Sequence, residues 1–311
     1  MAGTQRTGVR WLILCLFLAV SSHVVAKRGK TLSLLYRVHT YATTLDTSRI
    51  VRETYSYSRA FINVEKRNPI LMLVPSAYII ARGDRREFLT ERFSKIQMRH
   101  YNDFNTKTLL GISNLPGYGG AMSTFNRYMT PTVYDETIVG NTILSPFHPN
   151  NFRFYKYNVD AVNGDTVRLR FRGKRLSTQL LHGTAEVDNI TGRIICCSLW
   201  SEYDMVNSLI TMNMGDRGVN SLFPRDCDGL FLFRFLGNKV SAHYKSNFGL
   251  GNPFSCDSIK DPSDPALMDA VRPDTLKGQE RQALDDFATL KTAKDSADSQ
   301  PKPEKRSGWL K

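Results

Sequence analysis

Apolar and polar residues alternate with a period of two through much of the second half of the chain, which is typical of β-strands with one buried face. The clearest stretch is TVRLRFRGKR (166–175), in which apolar residues alternate with arginines. It follows FRFYKYNVDAV (152–162) across Asn163-Gly164. Asn-Gly is a preferred pair for a tight hairpin turn, because both positions need positive φ. The two stretches therefore predict a β-hairpin.

Similar short stretches continue to residue 246, and turn residues separate them. RIICCSLWSEYDMV (193–206) follows the turn at 189–192, and LFLFRFL (230–236) and KVSAHYKS (239–246) flank Gly237-Asn238. Consecutive strands joined by short turns predict an antiparallel meander with one apolar face. We therefore predict a mainly β fold: a curved, half-barrel-like antiparallel sheet with a few short helices and a C-terminal helix.

The first half of the chain has a less regular pattern. Residues 49–66 are rich in Tyr, Phe, Ile and Val and predict a strand. Residues 70–81 (ILMLVPSAYIIA) are almost wholly apolar and predict buried extended chain interrupted before Pro75, since the residue before proline avoids the helical region. Residues 86–101 (REFLTERFSKIQMRHY) fit either a strand or a helix, and the pattern leaves both open.

The two ends of the chain differ from this β-rich centre. Residues 1–26 have an early positive charge, a short apolar run and small residues near Ala26, which is the pattern of a secretory signal peptide. Residues 27–260 are then predicted to form a mostly antiparallel β domain. Residues 261–294 predict a helical extension, with Asp264-Pro265 as a helix start. Residues 295–311 are polar and contain proline, and they predict a disordered tail.

The predicted export determines how the charge and the cysteine content are interpreted. The formal net charge is +13, and the basic excess lies in residues 27–260. On an exported domain such an excess favours anionic lipid or acidic glycan over nucleic acid. The cysteines after residue 26 show no CxxC spacing. Cys227 and Cys256 are the candidates for a disulfide, because an oxidising compartment permits one.

The patterns of known catalytic and metal sites are missing from the sequence. The histidines after residue 26 form neither HExxH nor a close pair in sequence, and there is no GxSxG elbow. Glu202 and Asp204 share one face if SEYDMV forms a strand, yet paired-carboxylate sites need groups from several strands. His148, between two prolines, is expected to shape a loop. We predict no catalytic, cofactor or metal residues and a non-enzymatic protein without a cofactor.

The arginine row of 166–175 is the candidate binding site. Alternation places Val167, Leu169 and Phe171 on the buried face. Arg168, Arg170 and Arg172 would then face outward, and Lys174 and Arg175 follow them directly in the chain as further members of the candidate site. They fit two interpretations: the solvent-facing side of a strand, or a surface that attracts the phosphates of outer-membrane lipid or a charged partner. Nucleic acid is disfavoured, since no aromatic platform motif accompanies the charge.

Six stretches of the chain together carry a resemblance to a known family. They are RNPILMLVPSAYIIARGDRREFLTE (67–91), ILSPFHPNNFRFYKYNVDA (143–161), STQLLHGTAEVDNITGRI (177–194), SEYDMV (201–206), FRFLGNKV (233–240) and AVRPDTL (270–276). They resemble the bacterial outer-membrane proteins that contain domain of unknown function 5686, occur in that family's order and span roughly residues 50–285.

The resemblance implies an outer-membrane-linked location and no particular reaction. Typical members carry a leading carboxypeptidase-regulatory-like domain and a C-terminal β-barrel, and we expect this chain to hold neither. The leading hypothesis is an exported accessory or binding domain of an outer-membrane assembly, whose partner is an envelope protein or outer-membrane lipid or glycan. The alternatives are a periplasmic carrier of an acyl chain or glycan in a sheet cavity, and an unrecognised hydrolase. No transmembrane helix is expected in the mature chain.

Overall fold

A computed structural model provides the structure of the chain. It describes residues 29–44, 53–73, 81, 84–100, 103–115, 133–139, 143–203, 205–215, 222–254 and 259–298. The predicted signal peptide and most of the predicted tail lie outside these ranges, so both stay predictions.

The described strands form one open antiparallel sheet of ten strands and a small two-stranded sheet. The strands are β1 (Glu53–Lys66), β2 (Glu87–His100), β3 (Asp103–Ser113), β4 (Thr137–Val139), β5 (Ile143–Leu144), β6 (Tyr155–Asn163), β7 (Thr166–Gly173), β8 (His182–Asp188), β9 (Ile194–Tyr203), β10 (Val206–Asn213), β11 (Asp226–Phe235) and β12 (Asn238–Leu250). The order in the large sheet is β3-β2-β1-β12-β11-β10-β9-β8-β7-β6. The predicted mainly β fold is therefore confirmed, and the uncertain stretch at 86–101 contains strand β2.

Turn chemistry fixes the hairpins where the sequence predicts them. Gly164, between β6 and β7, has φ +53°, and Gly237, between β11 and β12, has φ +81°. Both lie in the left-handed region that glycine adopts at little cost. In the first hairpin, Tyr155 pairs with Gly173 and Val159 with Leu169. The register therefore keeps the apolar residues of both strands on one face.

The chain divides into two compact units. Unit 1 comprises residues 1–52, 98–104 and 130–226, and unit 2 comprises residues 53–97, 105–129 and 227–311. In unit 1, residues 29–44 form a helix, here called α1, which the sequence analysis did not identify. Its residues Leu34, Leu35, Val38 and Ala42 are buried, which is the i, i+3, i+4 spacing of a helix with one apolar face.

Helix α1 is held against the turn between β8 and β9. The Arg37 guanidinium donates to Asn189 Oδ1 at 2.8 Å. The helix backbone also passes so close to Gly192 that a Cβ there would lie 2.4 Å from the Arg37 carbonyl oxygen. Gly192 has φ +80°. A glycine is therefore needed at this crossing for both its conformation and its size.

Unit 2 packs two C-terminal helices on its strands. Helix α2 (Pro265–Val271) begins after Asp264, whose side chain accepts from Ala266 N as an N-cap, as the sequence predicts. Helix α3 (Gly278–Asp298) follows and extends past the predicted boundary at residue 294. Their apolar residues share a core with β1–β3. The members of this core are Tyr57, Leu89, Phe93, Leu110, Ile112, Met268, Val271, Ala283 and Leu284.

The prediction of buried extended chain at 70–81 is wrong over its first residues. Pro69–Leu73 form a short 3₁₀ helix, η1, in which only Leu71 is buried. Met72 and Leu73 are 45% and 79% exposed. Residues 74–80 lie outside the described ranges. The apolar composition indicated burial, but a helical turn directs successive side chains to different sides, so that they cannot all enter one core.

Candidate functional site

The arginine row lies on β7 with the predicted alternation. Leu169 and Phe171 are buried and Val167 is half-buried, whereas Arg168, Arg170 and Arg172 are exposed. The three arginines are not equivalent, however, because the neighbouring strands provide them with different partners.

Carboxylates neutralise two of the three arginines. Arg168 Nη2 lies 2.8 Å from Glu186 Oε1 on β8, and this hydrogen bond raises the pKa of the arginine. Arg170 Nε donates to Asp160 Oδ2 on β6 at 2.9 Å. These pairs match the solvent-facing interpretation of the row, since opposite charges on adjacent strands are an ordinary feature of an exposed sheet face.

The third arginine belongs to a group of basic residues at the other end of the hairpin. Arg172 lies directly opposite Lys156 on β6. Lys174 Nζ donates to the carbonyl of Arg153 at 2.6 Å, which holds two more cations together. We call Arg153, Lys156, Arg172, Lys174 and Arg175 the cation cluster. Within the described ranges no carboxylate pairs with any of them, although all are exposed.

A groove of about 730 Å³ lies beside the cation cluster, between helix α1 and strand β6. We call it the β6 groove. Its lining combines apolar and aromatic side chains with three members of the cluster. The lining residues are Thr31, Leu32, Leu35, Phe152, Arg153, Tyr155, Lys156, Tyr157, Asn158 and Lys174. An adjoining cavity of about 530 Å³ shares Arg153 and Lys174 with it and adds Arg175.

The aromatic wall of the groove is held by backbone hydrogen bonds. The Tyr155 hydroxyl donates to the Leu144 carbonyl at 2.6 Å, and the Tyr157 hydroxyl donates to the Pro146 carbonyl at 2.7 Å. Burial raises the pKa of Tyr155 to about 12 and raises the pKa of Tyr157 as well. Both hydroxyls are therefore neutral at pH 7, and their rings contribute apolar surface.

A short 3₁₀ helix, η2 (Pro149–Phe154), contributes Phe152 and Arg153 to the lining of the groove. His148 is its N-cap, and the Asn150 backbone N–H donates to His148 Nδ1 at 3.4 Å. Phe152 meets Tyr36 of α1 edge-on, with ring centroids 5.7 Å apart. This arrangement fits the prediction that His148 shapes a loop.

The tertiary structure also brings together two histidines that lie far apart in sequence. The rings of His39 and His148 meet edge-on at 5.3 Å between centroids. Burial, and secondly the neighbouring His148, lowers the pKa of His39. No local spacing links these two histidines, so the sequence alone does not reveal the pair. Across the described ranges, no group of three His, Cys, Asp or Glu side chains could hold a metal ion.

Two other predicted pairs each include a residue that lies outside the described ranges. Cys227 is buried on β11, but Cys256 lies outside the described ranges, so the disulfide stays a prediction. Glu202 is exposed at the end of β9, and Asp204 is likewise outside the described ranges. The stretch FRFYKYN, with its alternating basic and aromatic residues, was the available signal for Arg153 and Lys156, which the sequence analysis did not include in the site.

The described helices include none with the length and apolar character needed to cross a membrane. Among solved structures, the chain is similar to a LolA-superfamily protein from Nitrosomonas europaea, with 13% identity, coverage of 73% of this chain and 95% of that chain, and a TM-score of 0.23. It is also similar to a structure of the Pseudomonas aeruginosa MucA/MucB complex, with 7% identity, 78% and 99% coverage, and a TM-score of 0.22. At such TM-scores these likenesses carry no argument about function.

No curated protein matches the chain. A family model matches residues 54–248, and its description is a family of unknown function, DUF5686. The match spans more than half of the chain and confirms the resemblance seen in the sequence. The chain therefore belongs to the DUF5686 family.

Proposed function

We propose that this chain is a non-enzymatic binding protein of the cell envelope that holds an anionic amphiphile. The apolar chain of the ligand lies in the β6 groove, and its phosphate or carboxylate contacts the cation cluster. The observation that carries this proposal is the position of unneutralised cations at an apolar groove, at the opposite end of the β6–β7 hairpin from arginines that do have carboxylate partners.

The size and lining of the groove suit the apolar part of such a ligand. A volume of about 730 Å³ falls within the range of about 300–1,000 Å³ that is usual for small-molecule sites. Leu35 and Tyr155 belong to its lining and are almost wholly buried, at 1% and 2% exposure. Leu32 also lines the groove and is 43% exposed. An apolar ligand in the groove would cover the Leu32 side chain, and the removal of this apolar surface from water would favour binding.

The charge beside the groove suits an anionic head group. Arg172 and Lys156 face each other across β6 and β7, and like charges in this position destabilise a sheet. An anion between them removes that repulsion. A basic side chain near an anionic lipid surface contributes about 1 kcal/mol, so two of them correspond to roughly 30-fold in affinity.

The envelope location in this proposal rests on the signal-peptide pattern of residues 1–26. If it holds, the exported protein begins at Lys27, and mass spectrometry of protein recovered from the cell envelope measures this directly.

A titration with matched amphiphiles tests the proposal. Dodecyl phosphate and dodecyl maltoside have the same apolar chain and differ in charge, and both are used below the concentrations at which they form micelles. We expect calorimetry to show preferential binding of the phosphate. Leu32→Asp should weaken binding of both ligands, because it places a charge against the apolar chain.

The charge contribution has a control on the same strands. Lys156→Ser/Arg172→Ser should lower affinity for dodecyl phosphate about 30-fold. Arg168→Ser/Arg170→Ser removes the same formal charge from ion-paired positions and should lower it less than about threefold. Equal losses in the two variants would refute a specific role for the cation cluster.

Because β6 is a terminal strand of the sheet, binding of an extended acidic peptide in place of either amphiphile would assign this edge to a protein partner instead.

A further inference from the structure

Unit 2 presents a group of exposed apolar side chains at one end of its strands. They come from η1 and from the turn between β11 and β12. We call Ile70, Met72, Leu73 and Leu236, which are 38%, 45%, 79% and 61% exposed, the apolar tip. Single exposed apolar residues are ordinary, but a contiguous group marks an interaction surface.

Two asparagines hold the two parts of the apolar tip together. Asn68 Nδ2 donates to the Leu236 carbonyl at 2.6 Å. The Asn68 backbone N–H donates to Asn238 Oδ1 at 2.7 Å, and Asn238 Nδ2 donates back to Asn68 Oδ1 at 2.9 Å. Asn68 Oδ1 also accepts from Ile70 N at 3.0 Å. These bonds fix η1 against the hairpin turn.

The packing inside the tip forces its other residues outward. Leu71 is fully buried in a cluster with Val64, Phe88 and Val240. With Leu71 anchored inward, the turn of η1 directs Met72 and Leu73 away from the core. Met72 and Leu73 are therefore exposed on a backbone segment that hydrogen bonds hold in place.

The backbone of Leu236 adds an independent observation. Its φ is +44°, in the left-handed region where a residue with a Cβ is disfavoured. Asparagine or glycine would fit that conformation better. Gly237 follows with φ +81°, so the two residues supply the pair of positive φ angles that a tight hairpin turn requires, and an exposed leucine occupies a position where asparagine or glycine is usual.

Basic residues surround the apolar tip. Arg234 precedes it on β11, and Arg86 is adjacent to β1, where its carbonyl accepts from Val64 N at 2.7 Å. The cations around the tip are Lys66, Arg67, Arg85, Arg86, Arg234 and Lys239, and the acids are Glu65, Asp84 and Glu87. Glu65 is paired with Lys239, and the cations outnumber the acids.

We propose that the apolar tip inserts into the interfacial region of an anionic lipid bilayer. An apolar apex with a basic surround is the arrangement of interfacial membrane-binding segments, whose cations meet the negative surface while the apolar side chains enter the acyl boundary. This inference goes beyond the proposed function, because it concerns a different surface and a bilayer instead of a single bound molecule.

A tryptophan at the apex measures insertion. In Leu73→Trp, we expect the emission maximum to move to shorter wavelength with vesicles of phosphatidylglycerol and phosphatidylcholine, and to stay unchanged with phosphatidylcholine alone. Co-sedimentation with the same vesicles should show at least about tenfold weaker binding for Met72→Ser/Leu73→Ser. Leu230→Ser is the matched control, because Leu230 is also in unit 2 and 49% exposed but lies outside the tip.

Three results would overturn this proposal. One is vesicle binding that is equal for Met72→Ser/Leu73→Ser and the control. Another is a concentration-dependent dimer, seen by analytical ultracentrifugation, that only the tip variant abolishes, since it would assign the surface to a second copy of the chain. The third is loss of the tryptophan shift in Lys156→Ser/Arg172→Ser, because binding would then run through the cation cluster. That third result leaves the proposed function intact, whereas failure of the dodecyl phosphate titration leaves the tip proposal intact.

Discussion

The ion pair between Arg272 and Glu91 joins the C-terminal helices to the strands of unit 2. Arg272 follows α2, and its Nε and Nη2 atoms lie 2.7 and 2.8 Å from the two carboxylate oxygens of Glu91 on β2. The two side chains are 3% and 0% exposed. Tyr57 also donates its hydroxyl to Glu91. The two charged residues come from stretches that carry the family resemblance, 67–91 and 270–276.

Replacement of Arg272 by methionine tests how much this pair contributes. The variant leaves the Glu91 carboxylate buried with Tyr57 as its remaining donor, and removal of one partner of a buried pair typically costs about 3–5 kcal/mol. Glu91→Leu/Arg272→Met removes both charges and should cost less than Arg272→Met alone, because no buried charge is left without a partner.

Urea unfolding, followed by circular dichroism, measures both free energies. Arg170→Met is the matched control, because its partner Asp160 is also a carboxylate but both side chains are substantially exposed, at 58% and 38%. We expect that control to cost at most about 1 kcal/mol. A cost below about 1 kcal/mol for Arg272→Met, or a double variant as unstable as the sum of the two single variants, would contradict the reasoning.

Two further predictions concern helix α1. Burial holds the pKa of His39 below its ordinary value of 6.5, so the unfolded chain binds more protons near that pH. The stabilisation from neutral His39 is therefore fully present above pH 6.5 and is lost as the pH falls through the lowered folded value. Urea midpoints at about pH 7.5 and about pH 5 should show a larger drop for the wild type than for His39→Gln, and equal drops would contradict this. Gly192→Ala should destabilise the protein more than Gly249→Ala. Both glycines have positive φ, but only at Gly192 would a Cβ strike Arg37, since nothing lies within 4 Å of a Cβ at Gly249. The left-handed backbone alone costs about 1–2 kcal/mol, and equal unfolding free energies for the two variants would show that the helix yields at the crossing.

The local signals in the sequence identified the regular parts of the fold correctly. Alternation in 166–175 indicated which residues of β7 are buried, because successive side chains on a strand point to opposite faces. Asn163-Gly164 and Gly237-Asn238 marked hairpin turns, and Asp264-Pro265 marked the start of α2. In each case the cause acts within a few residues, so the sequence contains all of it.

The sequence predicted less where the choice depends on distant residues. The stretch that contains β2 fits a strand or a helix equally well, and its pairing with β1 settles the choice. The apolar residues of 70–73 indicated burial, yet η1 anchors Leu71 in a core built by Val64, Phe88 and Val240 and directs Met72 and Leu73 outward. Helix α1 was not identified, although its apolar spacing was available in residues 29–44.

The candidate site shows the same division. The sequence by itself determined that Arg168, Arg170 and Arg172 share the outer face of one strand, because the period of the strand is a local property. Only the tertiary structure decided that Glu186 and Asp160 neutralise the first two, and that Arg153 and Lys156 join Arg172, Lys174 and Arg175 beside an apolar groove. The charge of an arginine is set by its residue type, but the Coulomb energy of that charge depends on the groups around it. The groups that the structure adds lie on other strands and turns and become adjacent only when the sheet forms.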